Sequence, residues 1–180
     1  NTTRLVGEDL GNERYKWWGG TVGPDGCVYG CPFNGDRILK YDPSTDTTTL
    51  VGDRLEGDPI KYQSAISVPE SNCIYFIPYA AEQVLVYNIT DETTTFIGGT
   101  FHGNGKWSGA CLSKVDWCIY SAPFFHHQVL KINPVDGSTT LIGEEYHDGR
   151  WKWSGYVEAP DGCIYCSPAN ASNFLKIDVR

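Results

Sequence analysis

The sequence predicts an all-β protein, on three observations. The chain is rich in residues that suit strands and turns, with 11 Tyr, 6 Trp, 7 Phe and many Thr beside 20 Gly and 10 Pro. Aromatic and β-branched side chains fit a pleated, half-buried surface, whereas Gly, Pro, Asn and Asp supply the backbone conformations that turns need. No stretch of useful length carries apolar residues at the helical spacing of about 3.6, so helices should be few. Finally, one pattern of roughly 45 residues occurs four times along the chain.

Each element of that pattern recurs in order. A Lys-aromatic pair appears as Lys16-Trp17, Lys61-Tyr62, Lys106-Trp107 and Lys152-Trp153, at steps of 45, 45 and 46 residues. A Cys-x-Tyr element follows at Cys27, Cys73, Cys118 and Cys163, and a Pro stands three residues past each Tyr, at Pro32, Pro78, Pro123 and Pro168. An alternating apolar run then contains Leu39, Leu85, Leu130 and Leu175 and leads to Asp42, Asn88, Asn133 and Asp178. A Thr-rich segment closes the unit on Gly52, Gly98 and Gly143.

Within a unit this order predicts four short strands. In the third unit they are expected at about Trp107–Leu112, Trp117–Ala122, Gln128–Asn133 and Ser138–Ile142. Pro-Asp-Gly at 24–26 and 160–162 marks the turn between the first two strands, and Asp136-Gly137 the turn between the last two. Four antiparallel strands at this period describe a propeller blade. The predicted architecture is a β-propeller of four four-stranded blades forming one domain, with units at 8–52, 53–98, 99–143 and 144–180, the last completed by 1–7. The fourth unit stops after its third strand, at Lys176-Ile177-Asp178, and its missing strand is expected in Thr3-Arg4-Leu5-Val6-Gly7. That strand has the register to complete either its own last blade or a neighbouring molecule's, covering an edge that would otherwise stay open.

The run Lys-Trp-Ser-Gly-Ala, then Gly-Cys-Ile-Tyr-x-x-Pro, Val-Leu-Lys-Ile-Asn-Pro and Ser-Thr-Thr-Leu-Ile-Gly resembles the tandem propeller repeats of secreted microbial proteins. More loosely, it is similar to the NHL and YVTN class of propellers. The resemblance covers essentially the whole chain and implies the architecture. It does not imply a function, because propellers carry enzymes, lectins and scaffolds alike.

Composition narrows the setting. At 180 residues with 41% apolar content the chain can bury an ordinary core. Its formal charge of −8 argues against nucleic acid, which is gripped by clustered Lys and Arg. No apolar run approaches the 18 residues or so of a membrane-spanning helix. The chain begins at Asn1 and holds no Met, which reads as a mature or excised segment of a precursor. Seven Cys suit a secreted protein, as do N-x-S/T sequons at Asn1, Asn88 and Asn170. An extracellular glycoprotein is therefore expected.

No catalytic constellation is apparent, and neither a cofactor nor a metal is expected. His102, His126, His127 and His147 read as solvated loop residues, and the carboxylates Asp25, Asp42, Asp46, Asp136 and Asp161 as turn formers. The repeated Cys27, Cys73, Cys118 and Cys163 lie near turns, too far apart to converge on zinc. Cys111 and Cys118 flank a hairpin and are the candidate disulfide, whereas Cys27 with Cys31 and Cys163 with Cys166 are excluded by strand geometry. The candidate ligand site is the ring of Lys16, Trp17, Lys61, Tyr62, Lys106, Trp107, Lys152 and Trp153, which opens the channel-lining strands. Aromatic faces beside lysines suit a sugar or an anionic saccharide, while the plainer reading packs those aromatics between blades.

The leading expectation is a non-enzymatic extracellular scaffold built of propeller repeats, with self-association head to tail. A lectin-like module binding an extracellular glycan or protein is the alternative, and a propeller hydrolase or lyase the second. Trp18, Trp117 and Trp151 break the repeat symmetry and are candidates for exposed contacts.

Overall fold

In the computed structural model, which describes residues 1–57, 59–147 and 149–180, fifteen strands form four antiparallel sheets. The first blade is β1 (Trp17–Val22), β2 (Val28–Pro32), β3 (Ile38–Asp42) and β4 (Thr47–Val51). The second is β5 (Tyr62–Val68), β6 (Cys73–Pro78), β7 (Val84–Asn88) and β8 (Thr93–Ile97). The third is β9 (Cys111–Leu112), β10 (Ile119–Ser121), β11 (Val129–Ile132) and β12 (Thr139–Ile142). The fourth has three strands, β13 (Trp153–Glu158), β14 (Cys163–Pro168) and β15 (Leu175–Asp178). Strands pair in chain order, so each blade is a simple meander. One short 3₁₀ turn, Pro69–Ser71, is the sole helical piece among the described residues.

The turns explain why Cys-x-Tyr recurs. Asp25, Asp116 and Asp161 each accept the backbone N–H two residues on, from Cys27, Cys118 and Cys163, at 3.2, 3.1 and 3.0 Å. Their second carboxylate oxygen accepts the hydroxyl of Tyr29, Tyr120 or Tyr165 at 2.8, 2.7 and 2.8 Å. The intervening residue is left-handed, as Gly26, Trp117 or Gly162. An Asp can bond its own backbone two residues on and so stabilise such a turn.

The Gly of the Lys-Trp-Ser-Gly element also has a cause. Cross-strand register slips after the first aromatic of β1, β5 and β13, which is a β-bulge. Gly19 in β1 and Gly155 in β13 take positive φ at the slip, as does the equivalent Gly109 of the third blade, where a Cβ would come within 2.3 Å of the Tyr156 ring. In the third blade the distortion shortens the expected first strand to Cys111–Leu112, with Trp107 still bridged to Pro123.

Blades stack through three apolar layers. Tyr29, Cys31 and Ile38 of the first blade pack with Tyr62, Phe76 and Tyr87 of the second. Strand β6 alternates, sending Ile74 and Phe76 into that layer and Tyr75 and Ile77 into the next, where Trp107, Ile119 and Leu130 meet them. The third layer joins Tyr120 and Val129 to Trp153, Ile164 and Leu175. No layer joins the fourth blade to the first among the described residues, so the four blades form an open arc.

Of the two placements open to residues 3–7, the chain does not take the one in its own last blade. Residues 3–7 form no strand and do not pair with β15; Leu5 is fully exposed. Instead the segment is held against the outer strand of the first blade. Gly7 N–H donates to Asp46 at 3.0 Å, Glu8 N–H to Thr48 Oγ1 at 3.2 Å, and Arg4 to Asp46 at 3.1 Å. The physical reason is repeat register: the N–H groups of Asp53 and Gly99 bond Thr94 and Thr139 of the following blade in the same manner. The segment thus stands where the outer strand of a blade preceding the first would lie.

The expected disulfide is corrected as well, since all seven thiols are free. Cross-strand register sets Cys111 opposite Tyr120 rather than Cys118, leaving the two sulfurs diagonal to one another. Six of the seven are buried and act as small core residues. Of the sequon residues, Asn1 and Asn170 are exposed and Asn88 is half-buried.

Candidate functional site: an aromatic arc along one end of the blades

The recurring Pro at the end of each second strand is followed by Phe33, Tyr79, Phe124 and Ala169. The backbone carries this position from blade to blade. Phe33, Tyr79, Phe124 and Ala169 donate their N–H to the carbonyls of Lys16, Lys61, Lys106 and Lys152 in their own blades, at 3.0, 2.9, 2.9 and 2.9 Å. The carbonyls of Phe33, Tyr79 and Phe124 in turn accept the N–H of Lys61, Lys106 and Lys152 in the next blade, at 2.9, 3.0 and 3.1 Å. Each aromatic is therefore clamped between two blades.

The consequence is a continuous run of seven rings. Tyr15–Trp18, Trp18–Phe33, Phe33–Tyr79 and Tyr79–Phe124 have centroids 6.0, 5.4, 5.9 and 6.3 Å apart. Phe124 stacks on Phe125 at 5.4 Å and 10°, and Phe125 reaches Trp151 at 6.3 Å. The run crosses from the first blade to the entry of the fourth. Tyr15, Trp18 and Trp151 are exposed, and the four rings between them half-buried. Tyr15 and Trp151 precede the Lys of their repeats on a left-handed backbone, at φ 54° and 57°. Asn34 and Asn170 fix those two entries by donating to the carbonyls of Arg14 and Arg150, each at 3.1 Å. The Arg150 guanidinium lies 5.4 Å from the Phe125 ring centre.

The Lys-aromatic pairs form the buried layer beneath this arc rather than an exposed platform. Tyr62, Trp107 and Trp153 are buried and Trp17 half-buried. The indole N–H groups of Trp17, Trp107 and Trp153 donate to the carbonyls of Arg37, Gln128 and Asn173 at 2.9, 3.0 and 2.8 Å, and the Tyr62 hydroxyl to Gln83 at 3.2 Å. These acceptors all precede the third strand of their blade, so one bond repeats four times.

The lysines are turned inward. Lys106 Nζ donates to the carbonyls of Gly103, Ala80 and Tyr79 at 2.7, 3.1 and 3.3 Å. Lys152 Nζ donates to Gly149 at 3.3 Å, and Lys16 Nζ to Gly11 at 2.6 Å and to Leu10. Lys61 is buried too. Loss of solvent pulls the Lys106 pKa down to about 8, only partly offset by the Glu82 charge, and burial lowers that of Lys152. Lys16, Lys106 and Lys152 thereby tie down the loops that lead into their blades.

A cavity of about 880 Å³ opens beside the arc at the second blade, beginning at Ala80, the residue after Tyr79. Lys61, Tyr62, Glu82, Gln83, Phe96 and Asn104 contribute to its wall. Glu82 also pairs with His102 at 3.0 Å. Of the histidines, His126 departs from the solvated reading: it is half-buried against Trp107 at 4.5 Å, and burial lowers its pKa. His102, His127 and His147 are exposed, the last two with rings 4.5 Å apart. Among the described residues no three His, Cys, Asp or Glu side chains gather as a metal site, and no helix is long and apolar enough to cross a membrane.

The sequence reading found the Pro but not the residue behind it. The signal was available as Pro32-Phe33, Pro78-Tyr79 and Pro123-Phe124, broken only at Pro168-Ala169. Trp18 and Trp151, singled out for breaking the symmetry, join the arc; Trp117 lies at the opposite turn.

Four antiparallel meander sheets stacked in an arc define a protein of the β-propeller fold class. No protein-family model matches the chain, and no curated protein matches it. Solved structures share its fold. A catalytically inactive virginiamycin B lyase from Staphylococcus aureus with quinupristin is similar at a TM-score of 0.71 and 12% identity, covering 95% of this chain and 58% of that one. A streptogramin B lyase is similar at 0.70 and 13%, covering 95% and 57%. Hydrazine synthase of Kuenenia stuttgartiensis is similar at 0.68 and 16%, covering 98% and 50%. At these identities the likeness concerns the fold alone. The chain spans about half the length of these three solved structures.

Proposed function

We propose that this protein is an extracellular carbohydrate-binding propeller module whose aromatic arc receives the rings of an extended saccharide. The seven-ring run across four blades carries this reading. Aromatic faces stack on flat apolar surfaces, and the C–H face of a sugar ring is such a surface. Centroid steps of 5.4 to 6.3 Å carry the arc along the rim on the scale of sugar rings, with Trp18 and Trp151 exposed faces toward its two ends. Hydroxyls at the saccharide's edge would find Glu82, Gln83 and Asn104 in the adjoining cavity.

Single-stranded nucleic acid also stacks on aromatic platforms, but it needs a basic groove. The formal charge of −8 and the inward-turned lysines favour a neutral saccharide instead. The lyases among the structural matches mark a propeller as able to carry an active site, and add no residue-level support for one here.

Screening against an oligosaccharide panel, read by the emission of the exposed Trp18 and Trp151, tests the proposal. Tyr79→Ala and Phe124→Ala should each weaken binding roughly fivefold, from about 1 kcal/mol per stacked ring. Silence across neutral oligosaccharides, or affinities unmoved by both substitutions, would overturn it.

A further inference from the structure

The two end blades leave unpartnered the two halves of one interface. Repeat positions show this directly. Ile74, Ile119 and Ile164 are fully buried by a preceding blade, while the equivalent Val28 is 41% exposed. Ile38, Val84 and Val129 are buried by a following blade, while the equivalent Phe174 is 65% exposed. Trp17, Leu39 and Tyr41 on the first blade are likewise only half-buried where their counterparts are buried. The first blade thus presents an incoming apolar face and the fourth an outgoing one. These are the same two surfaces that meet at the three internal layers.

The outer strand points to the same partner. Gly7, Gly52 and Gly98 each abut the Thr of the next outer strand, where a Cβ would come within 2.7, 2.6 and 2.3 Å of Thr48, Thr94 and Thr139. The equivalent Gly143 meets nothing within 4 Å, because the fourth blade lacks its outer strand. Thr3 is the repeat equivalent of Thr48, Thr94 and Thr139, and lies in a segment already docked at strand register but unpaired.

We propose that two copies of this chain associate head to tail, the fourth blade of each packing on the first blade of the other and taking the other's residues 3–7 as its fourth strand. In the pair, Thr3 would receive the N–H of the partner's Glu144, as Thr48 receives that of Glu8. Ala169 would accept the N–H of the partner's Lys16, extending the backbone relay by one step. The interface is heterologous, and such contacts close into a ring when the rotation permits. The arc covers 50 to 58% of the virginiamycin B lyase, streptogramin B lyase and hydrazine synthase chains, a share that two such arcs together would fill. The three-stranded fourth blade of each copy then loses its open edge by strand addition.

Light scattering on the eluting protein and hydrogen exchange at residues 3–7 test this. The expected mass is about 40 kDa, twice the 20.0 kDa chain, with the amides of Leu5 and Val6 protected in the pair. Val28→Lys and Phe174→Lys alter positions exposed in a single copy, so each should fold and yet weaken association at least tenfold. A 20.0 kDa species at all concentrations would overturn the proposal. So would a dimer indifferent to both substitutions, or masses that grow without limit as concentration rises.

Discussion

Replacing Lys106 by Met should change how stability depends on pH. Lys106 is 1% exposed and its Nζ contacts three carbonyls. Desolvation brings its pKa from an ordinary 10.5 to about 8. A base with a depressed folded-state pKa releases its proton earlier in the folded than in the unfolded chain. Between pH 8 and 10.5 the unfolded state therefore holds more protons, and this group's contribution to stability rises with pH. Integrated from pH 7 to 9.5, it amounts to about 2 kcal/mol.

The thiols act in the opposite sense. Burial raises the pKa of Cys27, Cys31, Cys73, Cys111, Cys118 and Cys166, so they hold their protons to higher pH in the folded state than unfolded thiols do. Stability is lost on that account as pH rises, against the gain from the lysine. The wild-type profile alone is therefore uninformative, whereas the difference between wild type and Lys106→Met cancels the thiols. The carbonyls of Ala80 and Gly103 lose a donor in the variant, at roughly 1–3 kcal/mol each. That offset is the same at every pH. Urea denaturation under reducing conditions at pH 7, 8, 9 and 9.5 should show wild type gaining about 2 kcal/mol on the variant. Parallel curves would refute the desolvated ammonium.

Two further stability predictions rest on the turns. Burial pushes the Asp116 carboxyl up, but bonds from Tyr120, Lys131 and the Cys118 amide outweigh it and hold the pKa at about 2. Its contribution is present above the ordinary 3.8 and lost as pH falls toward 2, so the gap between wild type and Asp116→Asn should shrink by about 2 kcal/mol over that range in acid titrations. A constant gap would contradict this. Glu92 is exposed at φ 55°, where the equivalent residue of the next blade is Gly137. Relief of left-handed strain at about 1–2 kcal/mol, less roughly 0.4–1 for the freer unfolded chain, makes Glu92→Gly stabilising by about 0.5–1 kcal/mol. A calorimetric midpoint that falls instead would show that the turn is not strained.

What the sequence by itself determined is periodic. Strand content, blade order and turn positions follow from local chemistry repeated four times, as in Asp116-Trp117-Cys118-Ile119-Tyr120, where one carboxylate organises the turn and the strand after it. Even the phase of residues 3–7 was legible, because Thr3 and Gly7 match the other outer strands residue for residue. Tertiary structure decided what periodicity leaves open. Whether four blades close depends on the angle between blades, which no single repeat encodes, and among the described residues no apolar layer joins the fourth blade to the first, which leaves the arc open. Which aromatics face outward depends on neighbours too. Trp107 and Phe124 are equally apolar in the sequence, yet Trp107 is sealed between two blades while Phe124 is held at the rim by a carbonyl and an amide from successive lysines. The site is therefore made by contacts between repeats, and composition within one repeat could not reveal it.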